Sequence, residues 1–174
     1  MLKYGEHMFF VSKIKKLLDN FLKVMCIFLC GFMVVLVSWQ VVSRFVLHDP
    51  SAISEELANI CFVWMALLGA ALLYGERGHM AISFIPEKLG PVKKHIVFII
   101  SEIFTLAMAA WILTYGGFYI ASNAMTQTNA AMLWLKIGQI YSVVPLVGVC
   151  IVFYSLYNIL ESVLILFGKN KAGA

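Results

Sequence analysis

The sequence predicts an all-α membrane protein: four transmembrane helices in one bundle, N-in and C-in, with short amphipathic helices at the membrane surface. Of its 174 residues, 62% are hydrophobic and 13% charged, whereas a soluble domain is about half apolar and a quarter charged. Four apolar stretches are long enough for the bilayer, which needs about 20 residues each. Helices satisfy their own backbone groups there, and the short alternating strands of a barrel are absent. Soluble enzyme classes are therefore excluded.

The spans are predicted at about 22–45, 52–75, 95–122 and 137–167 of a single integral membrane domain, 1–174. The basic start before the first span is typical of a signal peptide. However, the uncharged run of 20 residues from Val24 to Ser43 exceeds a signal-peptide core, and no small-residue cleavage site follows. The first span is therefore expected to remain in the mature protein.

Two amphipathic segments are expected along the membrane surface, at about 6–20 and 79–90. In the first, apolar residues alternate with lysines at roughly helical spacing. A plain extension of the first span is the alternative. In the second, an apolar run is stopped by Pro86 and followed by lysines.

The positions of Lys and Arg orient the bundle. Eleven fall before the first span, between the second and third, or after the fourth, and two fall on the other side, Arg44 and Lys136. By the positive-inside rule both termini of this multi-pass protein are cytoplasmic. Because the basic residues sit in short clusters between apolar runs and not on one polar face, nucleic acid is not an expected partner.

The outer ends of the first two spans carry charges that suggest a structural contact. Asp49 and Pro50 look like a helix cap and first-turn proline, with acidic residues following in the first turns. An ion pair from Arg44 to Glu55 or Glu56 is predicted to hold the two helix ends together. The alternative is an acidic helix start exposed to water.

Glu102 is the acid placed deepest in a span, and an intramembrane carboxylate is a functional candidate for carrying a proton or binding a cation. The alternative is that it pairs with Lys or Arg just below the inner headgroups. No catalytic, metal or cofactor site is predicted. The histidines lie in loops or at span edges, which argues against a haem-binding redox anchor. The four cysteines fall inside spans.

The segment from the end of the first span through the second loop resembles the small membrane subunit, or small permease, of tripartite ATP-independent periplasmic (TRAP) transporters. The matching residues are Arg44-Phe45-Val46, Glu55-Glu56-Leu57, Trp64, Leu68-Gly69-Ala70-Ala71, Arg77, His79 and Ile82, with Trp134, Tyr141 and Pro145-Leu146 later. Ile53, Met80 and Ser83 depart from the family's usual Trp, Ile and Asp.

The resemblance implies a non-catalytic scaffold. It would form a stable heterodimer with a large membrane subunit that carries out sodium-coupled uptake of an organic acid, a sialic acid or a C4-dicarboxylate. A periplasmic substrate-binding protein and membrane lipid are the other implied partners. The residues singled out for structure or partner contact are Arg44, Glu55, Glu56, Trp64, Gly69, Ala70, Arg77 and His79. A self-contained proton-coupled carrier using Glu102 is the alternative function.

Overall fold

The described part of the chain consists of helices joined by short connections. The structure, a computed structural model, describes residues 2–77 and 91–171, with side chains over 11–76 and 96–164. The helices are α1 (Leu2–Phe45), α2 (Ala52–Arg77), α3 (Pro91–Met108), a π-helical segment (Ala109–Gly116), α4 (Gly117–Asn123), a 3₁₀ turn (Ala124–Thr126), α5 (Ile137–Tyr141) and α6 (Val143–Lys171).

Within the described residues, four helical stretches are long and apolar enough to cross a membrane: Val11–Phe45, Ala52–Glu76, Ile96–Thr126 and Ile137–Leu164. The third combines α3, the π-helical segment, α4 and the 3₁₀ turn, and the fourth combines α5 with most of α6. This confirms the predicted all-α, four-span fold. The structure contains no membrane, so the cytoplasmic placement of the termini stays a prediction.

The fourth span is the most enclosed of the four. α6 packs against α2, α3 and the π-helical segment, while α1 packs chiefly against α2. The core-facing residues of α1 recur every seven positions, at Leu22, Leu29, Leu36 and Ser43, all buried. Such spacing is typical of two long helices packed at a shallow crossing angle. α1 and α2 are therefore joined by an extended seam rather than a single crossing.

The third and fourth spans are both irregular where they meet. The π-helical segment widens the third span, and Thr114 Oγ1 donates to the Ala109 carbonyl at 3.0 Å. The fourth span is interrupted between Tyr141 and Val143. Gly148 permits the close approach, because a Cβ there would lie 2.6 Å from Thr114 Oγ1. The two spans therefore pack closely at Gly148 and Thr114, and the Thr114 hydroxyl is satisfied within its own helix.

The predicted amphipathic segment at 6–20 is helical and continuous with the first span. α1 runs without a break for 44 residues, about 66 Å at 1.5 Å per residue. Lys15 and Asp19 of α1 lie beside Tyr154 and Tyr157 of α6. Leu22, further along α1, is fully buried. The backbone thus has the form of an extension of the first span. The other segment, 79–90, lies outside the described residues, as does His79.

Candidate functional site

The connection between α1 and α2 differs in detail from the predicted cap. α2 begins at Ala52, and Ser51, not Asp49, caps it: the Ser54 amide donates to Ser51 Oγ at 3.4 Å. The Ser54 hydroxyl donates in return to the Ser51 carbonyl at 2.9 Å. The Asp49 carbonyl accepts a hydrogen bond from the Ser43 hydroxyl. The predicted cap was therefore wrong by two residues, because the serine hydroxyl at 51 satisfies the first-turn amide.

The predicted ion pair between Arg44 and Glu55 or Glu56 is not formed. Arg44 and Glu55 are exposed, and among residues whose side chains are described no ion pair includes either of them. Successive helix residues point about 100° apart. Because Ser43 is buried in the core-facing row of α1, Arg44 is turned away from α2. The C-terminal end of α1 and the start of α2 are joined instead by Gln40, whose Nε2 donates to the Ser54 carbonyl at 2.8 Å.

Glu56 contacts the connection between the third and fourth spans, residues 127–136, which we call the third loop. Its Oε1 accepts a hydrogen bond from Asn129 Nδ2 at 2.7 Å. The side-chain oxygen of Asn129 accepts from the amides of Ala131 and Met132, at 2.9 and 3.2 Å. Asn129 is buried, and its own amide donates to the Leu135 carbonyl at 2.9 Å. One buried amide side chain thus folds the loop and fastens it to the start of α2.

Trp64 secures the interruption in the fourth span. Its indole Nε1 donates to the Ile140 carbonyl at 3.0 Å. Ile140 lies just before the break between α5 and α6, where a carbonyl requires a donor from outside the regular helix. Trp64 thus contacts the fourth span from α2. The residue acts within the bundle and not on its outer surface.

Glu102 belongs to a buried polar cluster drawn from three helices. Its side chain is only 6% exposed. Tyr74 on α2 and Ser155 on α6 donate to Oε2 at 2.5 and 2.9 Å, and Asn158 Nδ2 on α6 donates to Oε1 at 3.2 Å. Tyr74 Oη and Ser155 Oγ are themselves 2.7 Å apart. Both carboxyl oxygens therefore have partners inside the protein.

The expected pairing of Glu102 with a basic residue is not seen among the described side chains, where its partners are two hydroxyls and an amide. The sequence analysis identified the acid but none of these partners. Tyr74, Ser155 and Asn158 lie on two other helices, so no spacing along the chain relates them to Glu102. The one available signal was the presence of polar residues within otherwise apolar spans.

A second polar cluster, also overlooked, joins α1 to α6. Tyr154 is fully buried and its hydroxyl donates to Asp19 Oδ1 at 2.5 Å. Lys15 Nζ lies 3.6 Å from Asp19 Oδ2 and 5.5 Å from the ring centroid of Tyr157. Nearby, Lys23 and Glu76 pair at 2.8 Å. The i, i+4 spacing of Lys15 and Asp19 was the sequence signal for at least one of these contacts.

The small residues predicted as an interface face outward. A Cβ added at Gly69 would meet no atom within 4 Å, and Ala70 is exposed. Gly75, on the same helix, is the opposite case: a Cβ there would lie 2.5 Å from the ring of Tyr154. Gly75 thus serves packing inside the bundle. Gly69 and Ala70 leave a shallow, apolar strip that the described part of the chain does not cover.

The comparisons with known proteins agree on one family. The family model described as "Tripartite ATP-independent periplasmic transporters, DctQ component" matches residues 33–164. The chain is 28% identical over 168 residues to the sialic acid TRAP transporter small permease protein SiaQ of Vibrio cholerae serotype O1, covering 94% of each chain. It is 32% identical over 119 residues to a putative TRAP transporter small permease protein of Haemophilus influenzae, covering 68% of this chain and 72% of that protein.

A further match involves a larger protein. Over 54 residues the chain is 39% identical to the sialic acid TRAP transporter permease protein SiaT of Haemophilus influenzae strain 86-028NP. The matched segment covers 29% of this chain and 9% of that protein. A segment similar to part of this chain therefore occurs inside a much longer permease polypeptide.

Proposed function

This chain belongs to the DctQ component family of tripartite ATP-independent periplasmic transporters, and from that membership we propose that it is the non-catalytic scaffold subunit of a sodium-coupled transporter for an organic acid. The observation that carries the proposal is the family match over residues 33–164, joined to a four-span bundle. In this role the chain holds a large membrane subunit in place while that subunit moves the substrate.

The internal polar contacts support a bracing role. The carboxyl groups of Asp19, Glu56 and Glu102 each accept a hydrogen bond from another segment of the same chain. Such bonds fix the relative positions of the helices. The family membership gives no support to the alternative of a self-contained proton-coupled carrier using Glu102.

The large subunit is proposed to bind the outward strip of α2 that includes Gly69 and Ala70. Small residues let two membrane helices approach closely, and this strip is unoccupied within the described chain. Arg44 and Glu55, both exposed at the outer end, are available to the same partner. Glu56 and Trp64 support the surface from within, and Arg77 and His79 are included because of the family resemblance.

The match to SiaT also supports a permease as the partner. In that protein a segment similar to part of this chain is covalently joined to a much longer permease polypeptide. A separate small chain is then expected to associate with its permease through contacts alone.

The substrate is proposed to be a sialic acid or a C4-dicarboxylate, delivered by a periplasmic binding protein. The sialic acid assignment is supported by the name of the Vibrio cholerae relative, with 94% coverage of both chains. We also propose that the complex lies in a bacterial inner membrane, with both termini of this chain in the cytoplasm. The support for that orientation is the eleven-to-two distribution of Lys and Arg.

The test is co-purification with the large membrane protein encoded beside this chain. We expect a stable complex with the wild-type chain, loss of the complex with Gly69→Leu, and retention with Gly31→Leu. Gly31 is the matched control, because it is an exposed helical glycine on α1 that also has open space around it. A wild-type chain that stays alone would refute the scaffold role. Equal behaviour of the two leucine variants would refute only the proposed strip on α2.

A further inference from the structure

The three oxygen atoms at the centre of the Glu102 cluster form a closed triangle. Tyr74 Oη lies 2.5 Å from Glu102 Oε2, Glu102 Oε2 lies 2.9 Å from Ser155 Oγ, and Ser155 Oγ lies 2.7 Å from Tyr74 Oη. All three separations are in the range of O–H···O hydrogen bonds. Each contact of the triangle therefore needs a proton between its two oxygens.

An ionised carboxylate leaves the triangle one proton short. Tyr74 and Ser155 each carry one hydroxyl proton, and a carboxylate carries none. If both hydroxyls donate to Glu102, the contact between Tyr74 and Ser155 at 2.7 Å joins two oxygens with no proton between them. Thr105, the next hydroxyl along α3, donates to the Ser101 carbonyl at 3.0 Å. It also lies near the Tyr74 hydroxyl, but a proton shared by those two groups would not lie between Tyr74 and Ser155.

One additional proton completes the ring. We propose that Glu102 is a proton-binding site, held as a neutral carboxylic acid whose proton closes a ring of three hydrogen bonds with Tyr74 and Ser155. In this ring each oxygen donates once and accepts once. Asn158 Nδ2 donates at 3.2 Å to Oε1, the carbonyl oxygen of the acid. Every polar atom of the carboxyl group then has a partner.

The charges around the cluster favour the neutral form. Among the described side chains, the groups that face Glu102 are Tyr74 from α2 and Ser155 and Asn158 from α6, and none is a cation. Lys23, a basic group on α1, is 2.8 Å from Glu76 and is engaged there. A charge 94% buried between apolar helices, with no cation among the described side chains that contact it, is costly, whereas a neutral acid in a complete ring is not.

The ring makes the proton a structural component of the bundle. The ring joins α2, α3 and α6 at one point, and Ser155, one of its three members, has no exposed surface. A proton enclosed in this way is retained rather than passed on. The site is thus independent of whether the chain binds a large permease.

The test uses the full-length protein in lipid bilayers at neutral pH with ¹³C-labelled glutamate side chains. Solid-state NMR separates the carboxyl carbon of a neutral glutamic acid from that of an ionised one. Of the seven glutamates in the chain, we expect one in the neutral class, lost in Glu102→Gln and retained in Glu76→Gln. Seven ionised signals in the wild-type protein would overturn the proposal, as would a neutral signal that survives Glu102→Gln.

Tyr74→Phe provides a second measurement that keeps the carboxyl group in place. It removes one corner of the ring, so the neutral signal is expected to shift or to convert to the ionised class. An unchanged neutral signal in this folded variant would also overturn the ring. If Glu102→Gln fails to fold, the wild-type spectrum together with Tyr74→Phe still decides the question.

Discussion

The indole N–H of Trp64 on α2 donates to the carbonyl oxygen of Ile140 at 3.0 Å, where the fourth span is interrupted before Pro145. A backbone carbonyl that a break removes from the helical pattern is thereby satisfied by a side chain 76 residues away in sequence. In a bilayer, where water does not reach such a group, this bond fixes the position of α2 against the fourth span.

Trp64→Phe is expected to lower stability by about 1 kcal/mol, because it removes the donor and leaves the Ile140 carbonyl without it. Thermal unfolding in detergent measures the change. Trp111→Phe is the matched control, since Trp111 is an exposed indole in the third span. Equal melting temperatures for the two variants would show that the Trp64 bond contributes nothing.

Gly75→Ala is expected to destabilise the bundle by about 1–3 kcal/mol, because the added methyl group would lie 2.5 Å from the ring of Tyr154. Gly69→Ala on the same helix meets open space, so its fold should be unaffected or slightly stabilised. Thermal unfolding of both variants compares the same Gly→Ala substitution at a packed and at an open position of α2. A loss of stability in Gly69→Ala equal to that in Gly75→Ala would contradict the packing described for Tyr154.

Asn129→Asp is expected to loosen the third loop. Its oxygen can still accept from the amides of Ala131 and Met132, but the second oxygen now faces the Glu56 carboxylate in place of a donor. Limited proteolysis should therefore cut this loop faster than in the wild type.

The double variant Asn129→Asp with Glu56→Gln should restore protection, because the glutamine amide can donate to the new carboxylate. Glu55→Gln is the control, since Glu55 is exposed and is not expected to rescue the loop. Failure of the Glu56→Gln rescue would mean that the 2.7 Å contact is not what holds the loop to α2.

Asp19→Ala and Tyr154→Phe should be coupled energetically by about 1 kcal/mol, because each removes one partner of the same part-buried hydrogen bond. A double-mutant cycle by thermal or denaturant unfolding measures the coupling. Asp19→Ala with Tyr74→Phe is the control pair, since Tyr74 contacts Glu102 instead. Additive effects in the first pair would show that the Tyr154–Asp19 bond does not contribute to the docking of α1 on α6.

The apolar pattern predicts the architecture well because a helix in lipid must satisfy its own backbone. The predicted second span, 52–75, lies close to the observed Ala52–Glu76. The acidic residues show the limit of the same approach. The sequence predicts Arg44 as a partner for Glu56, but the observed partner is Asn129, 73 positions further on. The rotation of α1 that buries Ser43 decides this, and it depends on the packing of Leu22, Leu29 and Leu36.

The sequence by itself determined the four spans, the chemical character of the chain and its resemblance to TRAP small permeases, since these depend on composition and local spacing. Only the tertiary structure decided which polar groups meet inside the bundle. It closed the triangle of Tyr74, Glu102 and Ser155 and turned Gly75 inward and Gly69 outward on one helix. The physical reason is that hydropathy specifies that a helix lies in the membrane, whereas its rotation and depth are set by contacts with neighbouring helices.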